Sequence, residues 1–171
     1  MSDPIPVYEC IVAGLLAALG SVELNANAVR IERGRTEPVT EADCPILLLQ
    51  EEGETTAAIW TGADSHLRNL VIEGAVVVAP APGTDSAEVR RRDAQAKADG
   101  TAALLKALVR QVLGRLDAMP DALDGLVDQI AVIGEGPPQR LTVQTDNPAC
   151  AFSLNVSLAY ATAEGDPFTA A

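Results

Sequence analysis

The chain has 171 residues, enough for one domain that buries a sizeable core without disulfide or metal staples. Hydrophobic residues make up 48% of it but aromatics only 3%, so the core has to be built from Ala, Val, Leu and Ile, and recognition of bare bases by stacking is disfavoured. A formal charge of −12 repels phosphate at long range and disfavours ordinary nucleic-acid binding through counterion release.

That charge is uneven. Residues 1–84 carry 4 basic and 12 acidic groups, residues 85–120 carry 7 and 5, and residues 121–171 carry 1 and 7, so the positive balance falls on one predicted helix. Cys10, Cys44 and Cys150 are widely separated and accompanied by a single histidine, which points to reduced thiols rather than a zinc site. The N-terminus lacks the basic flank of a signal peptide, and its apolar stretch from Ile11 to Leu19 is too short to span a bilayer. The chain therefore reads as soluble and made in the cytoplasm.

Pro4 or Pro6 sits where a first helical turn tolerates proline, and Tyr8, Ile11, Val12, Leu15, Leu16 and Leu19 recur at helical spacing, predicting an amphipathic helix stopped by Gly20. Ala26 to Arg33 places Val29 and Ile31 between polar neighbours and reads as a strand, followed by a loop to Asp43. Ile46 to Gln50 is an apolar run too short for a helix. With Glu51-Glu52-Gly53-Glu54 as a turn and Thr55 to Thr61 as the return, it predicts a β-hairpin. Leu67 to Val78 is apolar on both faces and predicts a central strand, ended by Pro80 and Pro82.

Asp85 with Glu88 three residues on gives a capping-box-like start to a helix that runs to about Leu116. Its second half carries the stripe Leu104, Leu105, Leu108, Val109, Val112, Leu113 and Leu116. The first half offers only Val89 and alanines among Arg90-Arg91-Arg92 and Lys97, and Gly100 between the halves is a candidate kink. A helical turn over Asp121 to Leu126, a strand from Leu126 to Ile133, a loop from Gly134 to Pro138 and a short strand from Leu141 to Val143 follow. This order predicts a single α+β domain over 1–171: one mostly antiparallel or mixed sheet with two main helices packed on one face.

His66, the one imidazole, lies in Ala63-Asp64-Ser65-His66. Sequence neighbours in a turn rarely aim at one another as a triad requires, so it reads as a surface-turn histidine. Gly134-Glu135-Gly136 runs into Pro137 and Pro138 rather than a helix and cannot be a dinucleotide loop. Glu51/Glu52 and Asp121/Asp124 are acidic for the ordinary reasons of turns and helix starts. Arg90-Arg91-Arg92, set among Asp85, Glu88, Asp93 and Asp99, reads as intrahelical ion pairs or as a contact with an acidic neighbouring subunit. No catalytic, cofactor or metal site emerges.

The last thirty residues are the most specific. Phe152, Leu154, Val156, Leu158 and Tyr160 alternate with Ser153, Asn155, Ser157 and Ala159, the period of a half-buried strand, and Gly165 and Pro167 then end the sheet in a turn. A long strand running into Tyr160-x-Thr162-x-x-Gly165-Asp166-Pro167 resembles the C-terminus of tail terminator proteins of long-tailed phages and of phage-like gene transfer agents. The likeness comprises that signature and the layout of the whole chain.

It implies a subunit similar to a tail-tube protein that forms a homo-hexameric ring on the finished tube and stops its growth. The other ring face would meet the head connector or stopper protein, in the virion neck. DNA would slide through without specific binding, because a lumen lined with carboxylates offers no counterion-release attraction. Glu51, Glu52 and Glu54, taken as a hairpin tip, are the candidate lumen or ring-face element. Gly165, Asp166 and Pro167 are the candidate contact with a neighbouring subunit or the tube. Two other readings stay open: another neck component such as a stopper, or a small cytoplasmic enzyme or ligand-binding domain, which needs a pocket with convergent polar groups.

Overall fold

The computed structural model describes residues 4–60, 62–119 and 121–171. Helix α1 spans Val7–Gly20, with Pro6 just ahead of it at φ −56°, an angle proline adopts without strain. Tyr8, Ile11, Val12, Leu15 and Leu19 are buried along its inner stripe. Strands β1 (Glu23–Leu24) and β2 (Asn27–Ala28) form a small hairpin around Asn25 and Ala26, both at positive φ as a two-residue turn demands. The single strand expected from Ala26 to Arg33 is thus split, and its second part is β3 (Arg30–Arg33).

Short β4 (Val39–Thr40) leads into a 3₁₀ turn at Glu41–Asp43, closed by reciprocal hydrogen bonds between Thr40 and Asp43. Three strands of 15 residues then dominate the molecule: β5 (Ile46–Trp60), β6 (Ala63–Val77) and, after the second helix, β9 (Ala149–Ala163). Between them come α2 (Ala87–Ala118), a 3₁₀ turn at Ala122–Gly125, β7 (Gln129–Gly136) and β8 (Val143–Gln144), and the chain ends with β10 (Asp166–Ala170). The main sheet runs β10-β9-β6-β5-β3, with β7 also paired to β9. Every pairing in it is antiparallel except β3 with β5, and β4 pairs with β8 in a separate parallel ribbon.

Alternation decides which face carries the helices. Leu70, Ile72 and Val76 of β6 and Phe152, Leu154, Val156, Leu158 and Tyr160 of β9 all join the core beneath α1 and α2. The opposite face carries a second, smaller cluster of Val39, Ile46, Leu48, Ala75 and Leu141. There Glu73 is fully buried, and its Oε1 accepts the backbone N–H groups of Gln139 (2.6 Å) and Arg140 (3.1 Å), holding that loop to the sheet.

Helix α2 is capped by Ser86, whose hydroxyl accepts from the Val89 backbone, rather than by Asp85. Its first half does have a buried stripe, written in alanine: Ala94, Ala98 and Ala102 continue into Leu105, Val109 and Leu113. Gly100 does not interrupt it. Small side chains let the helix lie close, a signal that a search for large apolar residues misses.

Four expectations are corrected. Glu51 to Glu54 is not a turn, because β5 continues through it with a bulge, and the β5–β6 hairpin turns after Trp60 instead. The segment Gly134 to Gly136 belongs to β7, since pairing with β9 satisfies its backbone. The sheet does not stop at Gly165–Pro167, where Glu164-Gly165 turns the chain into β10. Among the described residues Arg90, Arg91 and Arg92 make no ion pair, so the intrahelical pairing expected for them is not formed.

Two substitutions test this packing. Gly74 lies opposite Phe152, and an added Cβ would overlap that ring, so Gly74→Ala is expected to cost about 1–3 kcal/mol by overpacking. Leu154→Ala, at a fully buried position, is expected to cost about 2–5 kcal/mol. Urea unfolding at pH 7 reads both, and a wild-type midpoint for either would refute the assigned core.

Candidate functional site

The residues singled out from the sequence converge on one end of the sheet, where β5, β6 and β9 extend past the start of α1. The bulge is the cause. Gln50 pairs with Val71 and Glu51 with Leu70, then Gly53 pairs with Asn69 and Glu54 with Arg68, leaving Glu52 as the extra residue. In strict alternation Glu51 and Glu54 would point to opposite faces. With one residue inserted, both stand opposite side chains of the helix-bearing face and are aimed at α1.

The result is a network of exposed and half-buried paired charges along the strand rather than an acidic hairpin tip. Arg33 bridges Glu9 of α1 (2.6 Å) and Glu51 of β5 (2.6 Å), while Arg68 of β6 pairs with Glu54 (2.6 Å) and lies 3.6 Å over the Tyr8 ring. His66 is no surface-turn residue. It stands on β6, 14% exposed, with Nδ1 2.9 Å from Glu54 Oε1 and Nε2 2.9 Å from the Thr162 hydroxyl. Its ring stacks on Tyr160 at 4.8 Å between centroids, and the Tyr160 hydroxyl donates to Glu54 Oε1 (3.2 Å). A hollow of about 350 Å³ is lined by Tyr8, Glu9, Glu54, His66, Arg68, Tyr160 and Thr162 together with Pro6 and Pro167.

Burial pushes the Tyr8 hydroxyl up to about 12, with the Glu51 carboxylate adding to the shift, and pushes Tyr160 upward as well. Burial also works to raise Glu54, but the Arg68 guanidinium and the Tyr160 and His66 hydrogen bonds outweigh it and hold that carboxyl below its usual value. Glu9 is held down by Arg33, whose own guanidinium is correspondingly harder to deprotonate.

The C-terminal signature is built into the same end. Tyr160 stacks and Thr162 meets His66. Gly165 takes φ +70°, an angle that favours glycine, and its N–H reaches Asp64 Oδ2 at 3.0 Å. The Glu164 carboxylate accepts the Gly62 N–H (3.1 Å) and the Glu164 N–H is received by the Gly62 carbonyl (3.1 Å), so the two hairpin ends are tied together. Asp166 accepts from the Phe168 backbone (2.9 Å) and the Thr169 hydroxyl (2.8 Å), which holds its carboxyl low and fixes the path of β10. Pro167 lines the hollow.

Glu51 and Glu54 are therefore paired, and Glu52 is exposed with no ion pair among the described residues. Sequence reasoning passed over Tyr8, Arg33 and Arg68. The available signal was Arg68 on the same face of the predicted strand as Leu70 and Ile72, where an unpaired cation is costly and a carboxylate partner is required. Among the described residues no cluster of three metal-ligating side chains is present, and no helix is long and apolar enough to cross a membrane.

Arg68→Met is expected to destabilise the domain by about 1–3 kcal/mol at pH 7, since it leaves Glu54 partly buried without its cation. Because Glu9 and Glu54 have lowered values in the folded state, the stability they contribute is complete above the ordinary glutamate value of 4.5 and is lost as pH falls through their folded values. Asp43, held at about 2 by the Thr40 backbone N–H and hydroxyl and then by Arg35, extends that loss downward from 3.8. Urea midpoints are expected to fall as the pH is lowered from 5 toward 2, less steeply in Glu54→Gln; an identical slope in that variant would contradict the network. Comparison with models of known protein families gives no match to the chain, and neither does comparison with curated protein sequences.

Proposed function

We propose that this chain is a structural virion protein resembling a phage tail terminator. It forms a ring, most simply a homo-hexamer, that caps the tail tube, stops its polymerisation and joins the tail to the head connector in the neck. The observation that carries the reading is the C-terminal signature. Tyr160, Thr162, Gly165, Asp166 and Pro167 are each given a definite task at one end of the sheet, and the turn they build presents β10 as a rigid edge strand rather than a frayed tail.

The reading gives the acidity a purpose. Glu51, Glu52 and Glu54, with Asp64 and Glu164 farther along the same strands, outnumber the Arg33 and Arg68 cations that pair with two of them, and a ring would repeat that negative excess around an axis through which DNA slides without adhering. Neither catalysis nor a cofactor has a part in it, and the partners are other copies of the chain, the tube protein and the connector or stopper. A different neck component shares these traits and differs only in the level it occupies.

The deciding experiment is imaging of the virion neck with this chain labelled, alongside particles made without it. Label in a ring between tube and connector, with tails of abnormal length when the chain is absent, is the expected result. Label at another level would assign it to a stopper, and particles indifferent to its removal would overturn the proposal.

A further inference from the structure

The polar network contains a relay that only the pairing of β5, β6 and β9 assembles. His66 of β6 has Nδ1 2.9 Å from Glu54 Oε1 of β5 and Nε2 2.9 Å from the Thr162 hydroxyl of β9. A carboxylate only accepts, so Nδ1 carries the ring proton toward Glu54, and Nε2 accepts from Thr162. Glu54 thereby fixes the tautomer in which the imidazole is a base for that hydroxyl. Carboxylate, imidazole and hydroxyl in this order are the parts of nucleophilic acyl transfer.

The surroundings hold the relay in place and open it to a substrate. The Tyr160 ring, stacked on His66 at 4.8 Å between centroids and 16° between planes, fixes the imidazole plane, and its hydroxyl donates to the same Glu54 oxygen. Thr162 is 3% exposed, yet it lines the hollow of about 350 Å³ together with His66 and Glu54. In a chain with 3% aromatics, both tyrosines and the one histidine border that space. A volume of this size takes a small ligand.

Charge selects the substrate class. Glu9 and Glu54 line the hollow against Arg68, and Asp64, whose carboxylate accepts the Gly165 N–H, stands opposite Thr162 on the neighbouring strand. Arg33, outside the lining, engages Glu9 and Glu51. This negative excess repels phosphate esters and carboxylates and favours a neutral acyl compound, for which Pro6, Pro167 and the tyrosine rings offer apolar contact. Arg68 is the cation available to the negative oxygen that forms during acyl transfer.

We infer that Glu54, His66 and Thr162 form an acyl-transfer triad that hydrolyses small uncharged esters. Thr162 Oγ1 attacks the acyl carbon and its proton passes to His66 Nε2. Collapse of the tetrahedral species breaks the ester C–O bond, and the alcohol leaves with the proton from Nε2. Water then attacks the acyl group on Thr162, giving a proton to Nε2. The bond to Oγ1 breaks, Thr162 recovers its proton and the carboxylic acid departs, so ester and water yield acid and alcohol. This activity goes beyond the tail reading and does not depend on it, since ester turnover and position in the neck are measured independently.

His66 is the only imidazole of the chain, so no other histidine contributes a background rate. The full-length protein is expected to hydrolyse p-nitrophenyl acetate with saturation, and His66→Gln and Thr162→Val to lower kcat about a hundredfold or more. Thr162→Ser, which keeps the hydroxyl, should retain turnover. Glu54→Gln, which keeps a hydrogen bond to Nδ1 but not the charge, should lower kcat and leave KM unchanged. Phenylmethanesulfonyl fluoride gives a measurement on the unaltered chain, where peptide mapping is expected to place the sulfonyl group on Thr162 with loss of fluoride. Wild-type turnover no faster than that of His66→Gln, or a sulfonyl adduct absent from Thr162, would overturn the inference.

Discussion

The uninterrupted pairing of β6 with β9 is the constraint on which the rest of this structure depends. Fifteen consecutive residue pairs, from Ala63 with Ala163 to Val77 with Ala149, run without a register shift. In antiparallel pairing opposite residues share a face, so this one register assigns every side chain of both strands to the helices or away from them. It sets Leu70 beside Val156 and Ile72 beside Leu154 under α1 and α2. It also sets His66 beside Tyr160 and Asp64 beside Thr162 at the end where the helices have stopped.

Against that regular frame the single bulge in β5 has a large effect. One extra residue at Glu52 turns two carboxylates onto the same face as Arg68 and His66, and the apolar face becomes a polar network within two residue pairs. Exposed Arg33 draws α1 to β5 through Glu9 and Glu51, and half-buried Arg68 draws β6 to β5 through Glu54. The same end of β6 ties the C-terminal hairpin down, because His66 meets the Thr162 hydroxyl and Asp64 accepts the Gly165 N–H. Acidity in this region is therefore partly matched by cations: Glu51 and Glu54 are exposed but paired with Arg33 and Arg68, whereas Glu52 and Glu164 are exposed and make no ion pair among the described residues.

The two ends of the sheet are chemically different. One carries the exposed Phe168 ring on the edge strand beside Glu164; the other opens into a hollow lined by Leu24, Asn25, Asn27, Cys44 and Pro45, where the Glu41 and Asp43 carboxylates act on the Cys44 thiol.

The sequence by itself determined the elements whose signal is local. The helical spacing of Tyr8 to Leu19, the stripe of α2 and the alternation from Phe152 to Tyr160 each report which side chains avoid water; Leu105, Val109 and Leu113 of the α2 stripe are buried, whereas Leu104, at its margin, is 46% exposed. The α+β class and the helices on one face followed from their order. What only the tertiary structure decided are features that exist because distant strands meet. Glu51-Glu52-Gly53-Glu54 reads locally as a turn, and it stays extended because Leu70, Asn69 and Arg68, 14 to 19 residues later, supply its hydrogen bonds and its cation. Gly165-Asp166-Pro167 reads as the end of the sheet, and it turns back instead because Ala163 and Thr162 offer an open edge to β10. His66 reads as a turn residue because Glu54 lies 12 positions before it and Thr162 lies 96 positions after it, and no local pattern encodes a contact made by pairing across that distance.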